Sequence, residues 1–307
     1  MLPQIISASR RTDIPAFYSE WFINRIREGF CLTFNPFNPQ QVSRVSLKPE
    51  DVICFAFWTR FPEPLVKYLN ELDDLGFAYY FMITILGYPK DIDPRVPALD
   101  RQLKSFIDLS SRIGRSKVVW RYDPILLSSI TSEQWHVDQF EKIAAALKVY
   151  TKRVLISIID PYVKTQKRMT DDKSKGLFFN GTLFNSGAYK KLIGKLSAIS
   201  RKYNIELYSC AEDLSEAGVK AGACIDRELI VDITGKKIAE HKDKNQRKLC
   251  NCLQSKDIGA NNTCLFGCKY CYATKSYSEA IRNHSFNHSP QSPLILDLPK
   301  GRTEKLI

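Results

Sequence analysis

Residues 52–85 read VICFAFWTRFPEPLVKYLNELDDLGFAYYFMITI. Two apolar runs, Val52–Trp58 and Ala78–Ile85, are strand-sized and rich in β-branched and aromatic residues. Between them the sequence predicts a helix over Glu63–Leu75, closed by Gly76. A buried strand, a helix and a second buried strand form the repeating unit of a parallel sheet.

The same alternation runs through the first 210 residues. Strands are expected at Ile5–Ser7, Leu32–Phe34, Lys117–Arg121, Arg153–Ile158 and Glu206–Ser209. Helices are expected over Ser19–Glu28, near Leu99–Ile113, over Ser132–Tyr150 and over Tyr189–Tyr203. In the third of these, Trp135, Phe140, Ile143, Ala144 and Leu147 fall at helical spacing. About seven strands at this spacing approach the eight of a TIM-type barrel. No Gly-rich phosphate-binding turn follows any of them, which weakens a dinucleotide-binding doubly wound sheet. The expected fold is therefore α/β, a (β/α)8-like barrel, complete or partial, with an open α/β sheet as the alternative.

After Ser209 the composition shifts toward Gly, Lys, Asn and Cys, and only Glu228–Ile233 reads as a strand. This predicts a barrel-like core over 1–209 and a cysteine-rich extension over 210–307 that folds back onto it. Pro161–Asn185 is long and polar, which predicts a lid or a disordered loop. The tail from Ser285 reads as loop, and there are no internal repeats.

Of the 307 residues, 44% are hydrophobic and 25% charged, the balance of a globular chain rather than a disordered one. No apolar run approaches the roughly 20 residues of a membrane span. The opening MLPQIISASRRTDIP has no apolar stretch of a secretion signal, so a cytoplasmic location is expected. The net charge of +12 is spread along the chain, with mild enrichment at 164–175 and 236–248. Such a spread is ordinarily a solvated surface, and no RNA-binding or zinc-finger spacing argues for nucleic acid.

Five expected strands run directly into polar residues. Arg10, Arg11 and Asp13 follow the first, Arg60 follows Trp58-Thr59, and Arg121 leads into Asp123. Asp160 follows Ile158, and Glu212 follows Ser209-Cys210. In a barrel these ends form one mouth, where active sites lie. The arginines are candidates to grip a carboxylate bidentately, and the acids to orient substrate, contact ribose or move protons. Taken singly, Asp123-Pro124 and Asp160-Pro161 are also ordinary turn chemistry.

Seven of the nine cysteines fall in the last hundred residues, which argues for metal rather than disulfides. Cys31 and Cys54 sit in apolar strand contexts and are expected in the core. Cys264, Cys268 and Cys271 are spaced C-x3-C-x2-C. Three thiolates around a [4Fe–4S] cube leave one iron open, whereas structural zinc and ordinary cubanes want four ligands. Gly267 lets such a loop wrap a bulky cluster, and Tyr270 can pack at its edge. The alternative is structural zinc that recruits Cys250 or Cys252. Cys210, Cys224, Cys250 and Cys252 would together suffice for a second closed site, an additional Fe–S cluster or zinc. The four histidines offer no ligand set, and His136 is expected on a helix surface. No G-x-S-x-G, P-loop or H-E-x-x-H motif is present.

Cys264-x3-Cys268-x-Tyr270-Cys271 resembles the signature of the radical S-adenosylmethionine (SAM) superfamily, down to its Tyr-Cys-Tyr ending. The resemblance implies a [4Fe–4S] cluster whose open iron binds SAM, and one-electron cleavage of SAM to a 5′-deoxyadenosyl radical. It also implies a full or partial barrel and an electron donor such as flavodoxin or ferredoxin, with a small-molecule or peptide substrate. In that superfamily the motif stands early; here it lies near the end of the sequence. From Ser9-Arg10-Arg11-Thr12-Asp13-Ile14-Pro15 to Asp257-Ile258-Gly259 and Tyr272-Ala273, the sequence resembles a bacterial family of unknown function noted for such a late cysteine cluster. The rival reading is a non-catalytic zinc or closed-cluster protein with a basic surface for nucleic acid.

Overall fold

A computed structural model describes residues 3–35, 38–160, 162–170 and 187–297. In chain order its elements begin β1 (Gln4–Ala8), α1 (Ile14–Phe17), α2 (Ser19–Glu28), β2 (Phe30–Asn35) and β3 (Asn38–Ser46). There follow β4 (Val52–Thr59), α3 (Glu63–Val66), α4 (Leu69–Asp74), β5 (Tyr79–Thr84), α5 (Leu99–Ile113) and β6 (Val118–Ile125). Next come α6 (Glu133–Leu147), β7 (Arg153–Ile158), α7 (Val163–Thr170), α8 (Gly187–Lys202) and β8 (Glu206–Cys210). The last are β9 (Lys220–Gly222), α9 (Arg227–Thr234), β10 (Lys256–Asp257) and α10 (Tyr277–Phe286).

Eight strands hydrogen-bond in the order β10-β1-β4-β5-β6-β7-β8-β9, and β2 pairs separately with β3. The protein is thus mixed α/β, with a large parallel sheet flanked by helices. Among the described residues no helix is long and apolar enough to cross a membrane. Chain contacts gather into two compact units. One is drawn from Met1–Tyr80, Ser255–Gly267 and Ala273–Ile307, the other from Phe81–Gln254 and Cys268–Tyr272.

In the first unit β1 lies parallel to both neighbours, with Ile6 opposite Phe55 on one side and Lys256 on the other. Strand β4 is buried on both faces from Cys54 to Thr59, which is why it reads as a continuous apolar run. Phe22 of α2 meets Phe55 and Phe57 edge-on, each at 5.3 Å between ring centres. The Trp21 indole N–H donates to the Ser292 carbonyl at 2.9 Å, and the Arg25 guanidinium to that of Gln291 at 3.0 Å. Both bonds tie the C-terminal tail to α2. Cys31 and Cys54 are fully buried in the core, as expected. The helix expected over Glu63–Leu75 is split into α3 and α4. A tight turn, with the Tyr68 amide donating to the Leu65 carbonyl at 2.9 Å, interrupts the helical ladder.

In the second unit β5 to β9 run in register, with Phe81 opposite Val118, Trp120 opposite Val154, and Leu155 opposite Tyr208. Helix α5 buries Leu103, Phe106 and Leu109; α6 buries Phe140, Ile143 and Leu147. Trp120 packs on Phe140 at 4.7 Å and donates to the Ile85 carbonyl at 3.0 Å. His136 is not on a helix surface. It is fully buried, with one ring nitrogen 2.8 Å from the Tyr122 hydroxyl and the other 2.9 Å from the Leu126 carbonyl. Burial pushes its pKa down to about 4, so the ring is neutral and structural. Of the stretch expected as lid or disordered loop, the start carries α7, and the rest lies outside the described residues.

The strand expected at Glu228–Ile233 is a helix, α9. Its β-branched residues favour a strand locally, but both ends carry helix caps. The Asp226 carboxylate accepts from the Leu229 amide at 2.7 Å, and Gly235 closes the helix at φ +65°. Asp226→Ala is expected to lower stability by about 1 kcal/mol, the usual worth of such a cap. Urea unfolding reads this directly, and a variant with unchanged midpoint and slope would remove the cap from the account.

Candidate functional site

At the end of β1 the chain turns through Ser9–Asp13, and this turn is held by Asp257 of β10. One carboxylate oxygen of Asp257 accepts from the Ser9 hydroxyl at 2.8 Å, the Gly259 amide at 3.0 Å and the Arg11 guanidinium at 3.0 and 3.2 Å. The other accepts from the Ser7 hydroxyl and the Arg10 amide, both at 2.9 Å. Burial alone would raise this carboxyl. The Arg11 charge, the two amides and the Ser9 hydroxyl outweigh burial and hold it below the ordinary carboxylate range. Arg10 lays its guanidinium over the Trp58 ring, 5.3 Å from the centre. Gly259 is required by crowding: a Cβ there would stand 2.0 Å from the Ser9 hydroxyl oxygen.

Asp13 is buried at the start of α1, where it accepts from the Ala16 amide at 3.1 Å and the Arg60 amide at 2.7 Å. Burial lifts its carboxyl to about 7, although the Thr59 hydroxyl, both amides and the Arg60 charge favour the ionised form. In an unfolded chain the same group titrates near ~4. The folded chain therefore keeps a proton that the unfolded chain loses, and stability falls as pH rises from about 4 to about 7. Asp13→Asn cannot ionise and is expected to flatten that part of a Tm-versus-pH curve. A variant curve parallel to the parent's across this window would overturn the assignment.

Cys264 stands in this first unit, next to Thr263, whose carbonyl accepts from the buried Tyr18 hydroxyl at 2.8 Å. Burial raises the Tyr18 phenol well above its ordinary value, and the nearby Cys264 thiol adds to the effect. Phe266 packs on Phe17 at 4.6 Å between ring centres. Thr12 reaches the same segment through Thr263 at 2.7 Å and the Ala260 carbonyl at 2.9 Å.

Cys268 and Cys271 belong to the second unit. They flank a tight turn in which the Cys271 amide donates to the Cys268 carbonyl at 3.1 Å, just after Gly267 at φ +68°. The Tyr270 hydroxyl donates to Asp93 at 3.2 Å, and its ring meets Tyr88 at 5.8 Å, so this tyrosine is a buried anchor of the turn. Arg168 of α7 donates to the Cys271 carbonyl. Burial disfavours the Arg168 charge, while the thiols of Cys271 and Cys268 favour it. Sequence reasoning missed Arg168 as a site residue; its only signal was the basic enrichment at 164–175.

The remaining candidates gather in the second unit. Arg121 forms an ion pair with Asp123, which also accepts from Ser157. Burial opposes the Arg121 charge, but Asp123, Cys224 and Cys210 more than compensate. Asp160 pairs with Arg247 at 2.6 Å. Glu212 accepts from the Ile158 amide at 2.9 Å, and burial raises its carboxyl to about 8. Beside these groups the Cys210 and Cys224 sulfurs are 3.4 Å apart. The Cys252 thiol lies near both Cys224 and Cys250. Among the described residues no cysteine is in a disulfide, and no three metal-binding side chains already converge around a common centre. The three cysteines of C-x3-C-x2-C are soft sulfur donors, and Arg168 lies near Cys268 and Cys271.

These features describe an α/β protein of the parallel-sheet class with a late three-thiol motif. The chain belongs to the family described as Domain of unknown function (DUF1848), which matches residues 5–273 and so includes all three motif cysteines. No curated protein matches the sequence. Among solved structures, two of D-hydantoinase from Bacillus sp. AR9 are similar, each at 11% identity, with TM-scores of 0.30 and 0.29. The alignments cover 57% and 56% of this chain, but only 39% and 38% of the hydantoinase chains.

Proposed function

We propose that this protein is a radical SAM-like iron–sulfur enzyme in which Cys264, Cys268 and Cys271 hold a [4Fe–4S] cluster with one open iron. The observation that carries the reading is the C-x3-C-x2-C motif itself, because three thiolates leave one iron of a cubane without a protein ligand. When bound, such a cluster supplies one-electron chemistry to SAM, with flavodoxin or ferredoxin as electron donor. The protein's own residues supply binding, charge balance and exclusion of water. Arg168 offsets thiolate charge at Cys268 and Cys271. Arg10 presents a guanidinium backed by Trp58 for an anionic group, while Arg11, clamped by Asp257, fixes the turn that carries it. Asp13, protonated up to about pH 7, and Glu212, up to about pH 8, are the groups able to hold a proton in the neutral range. A small molecule or peptide in the cytoplasm is the proposed substrate class.

The proposed architecture is a (β/α)8-type barrel, complete or partial. The strand order never reverses, whereas a doubly wound sheet must reverse at its switch point. Read cyclically, it is the order of an eight-stranded barrel, with β10 as the strand beside β1.

Anaerobic reconstitution of the full chain with iron and sulfide tests the function. The expected result is iron–sulfur absorbance in the visible and a reduced-cluster EPR signal that changes on adding SAM. A protein that takes up no cluster, or whose signal SAM leaves untouched, overturns the radical SAM reading.

A further inference from the structure

Outside the Cys264–Cys271 motif, four buried thiols lie near one another in the second unit, without three of them already converging on a common centre. Cys210 ends β8, Cys224 follows β9, and Cys250 and Cys252 come from the stretch between α9 and β10. All four are buried, at 7%, 5%, 5% and 2% exposure. The Cys210 and Cys224 sulfurs are 3.4 Å apart, and the Cys252 thiol lies near both Cys224 and Cys250. The Cys252 sulfur also accepts the Ile225 amide at 3.4 Å, the kind of N–H···S bond that supports a metal-bound thiolate.

We propose that Cys210, Cys224, Cys250 and Cys252 form a closed, structural zinc site, separate from the three-thiol motif and independent of the function assigned to it. Separation of the sulfurs favours zinc over a second cubane. Four thiolates at ~2.3 Å from zinc in a tetrahedron stand about 3.8 Å from one another. The Cys210–Cys224 separation of 3.4 Å is close to that edge. A cubane puts each cysteine on a different iron, which spreads the sulfurs well beyond it. Charge agrees as well. Binding Zn²⁺ releases one proton from each thiol and leaves a net charge of −2 on the centre. Two guanidinium groups feel these thiols, Arg121 toward Cys224 and Cys210, and Arg247 toward Cys210.

The site also has something to hold. Between α9 and β10 the chain has no helix or strand of its own apart from isolated bridging. Asp243 to the Cys252 carbonyl at 2.9 Å and Gln254 to His241 at 2.7 Å are backbone bonds within the stretch, and Leu253 to Ile225 at 3.0 Å ties it to the residues before α9. Few apolar side chains from this stretch are buried, Ile238 and Leu253 among them. A metal crosslink from Cys250 and Cys252 to β8 and β9 supplies the anchoring that a small apolar core cannot.

The test uses the full chain carrying Cys264→Ala, Cys268→Ala and Cys271→Ala together, so that the other motif contributes no metal. Elemental analysis is expected to find one zinc per chain, and Co²⁺ in its place to give the intense charge-transfer and visible bands of a tetrahedral all-thiolate centre. Adding Cys224→Ser or Cys252→Ser is expected to abolish both signals. If those variants fail to fold, X-ray absorption on zinc in the parent chain provides the check, with four sulfur neighbours at about 2.3 Å expected. Zinc absent from the triple variant, a cobalt spectrum of oxygen or nitrogen ligation, or iron and sulfide in place of zinc would each overturn the proposal.

Discussion

Cys268→Ala is expected to reduce the iron of anaerobically reconstituted protein from about four atoms per chain at this motif to almost none. Cys268 is the central thiol of the motif and is buried. Two thiolates separated by six intervening residues cannot span three irons of a cube, so the cluster has no stable partial form. Cys31→Ala is the control, because that thiol is fully buried in the core and burial raises it to about 12, far from the thiolate form a metal needs. Iron, acid-labile sulfide and visible absorbance should vanish together in the first variant and persist in the second. Iron retained in Cys268→Ala would mean that the cluster, if present, is held elsewhere.

Asp257→Ala is expected to cost about 3–5 kcal/mol, the usual consequence of removing one partner from a buried ion pair. The higher range applies because Arg11 and Asp257 keep only 16% and 18% of their side-chain exposure, so the pair is largely out of water. The loss is more than one bond. Truncation orphans the Ser7 and Ser9 hydroxyls and the Arg10 and Gly259 amides along with the guanidinium. Against a typical total stability of about 5–15 kcal/mol, that is a large fraction. Asp257→Asn keeps an acceptor of similar shape and should lose distinctly less. Urea unfolding of the two variants separates them, and a cost below about 1 kcal/mol for alanine would show that water replaces the carboxylate.

What the sequence made legible was the sheet. Strands such as Val52–Thr59 and Tyr79–Thr84 are covered on both faces, so they are apolar at nearly every position and stand out without any partner in view. Short elements did not stand out. Lys256–Asp257 is two polar residues, and it becomes a strand only because β1 offers an edge from the far end of the chain. Helix α9 was hidden by Ile230, Val231 and Ile233, whose side chains favour strands, while the caps at Asp226 and Gly235 decided the outcome. His136 shows the same limit from another side, since only the placement of Tyr122 and Leu126 makes its burial affordable. Among the candidate site residues, the motif spacing was visible, but Asp257, Arg168 and Arg247 were not. Their partners lie tens to hundreds of positions away, and no local pattern encodes such pairings.

The pairing of β10 with β1 bears on how the protein is made. Ile6 and Ser7 meet Lys256 and Asp257, so this edge of the first strand has no partner until the ribosome has passed residue 257. At ~5–20 residues per second, synthesis leaves that edge waiting for roughly 12–50 s. A strand edge left open that long is a template for pairing with other nascent chains. The polar Gln4 at its start and the Ser9-Arg10-Arg11 run after it place charge and hydrogen-bonding groups at both ends of an otherwise apolar strand. In the finished fold Ser9, Arg10 and Arg11 serve Asp257; charge beside an open strand edge is also the kind of feature that opposes pairing with other chains.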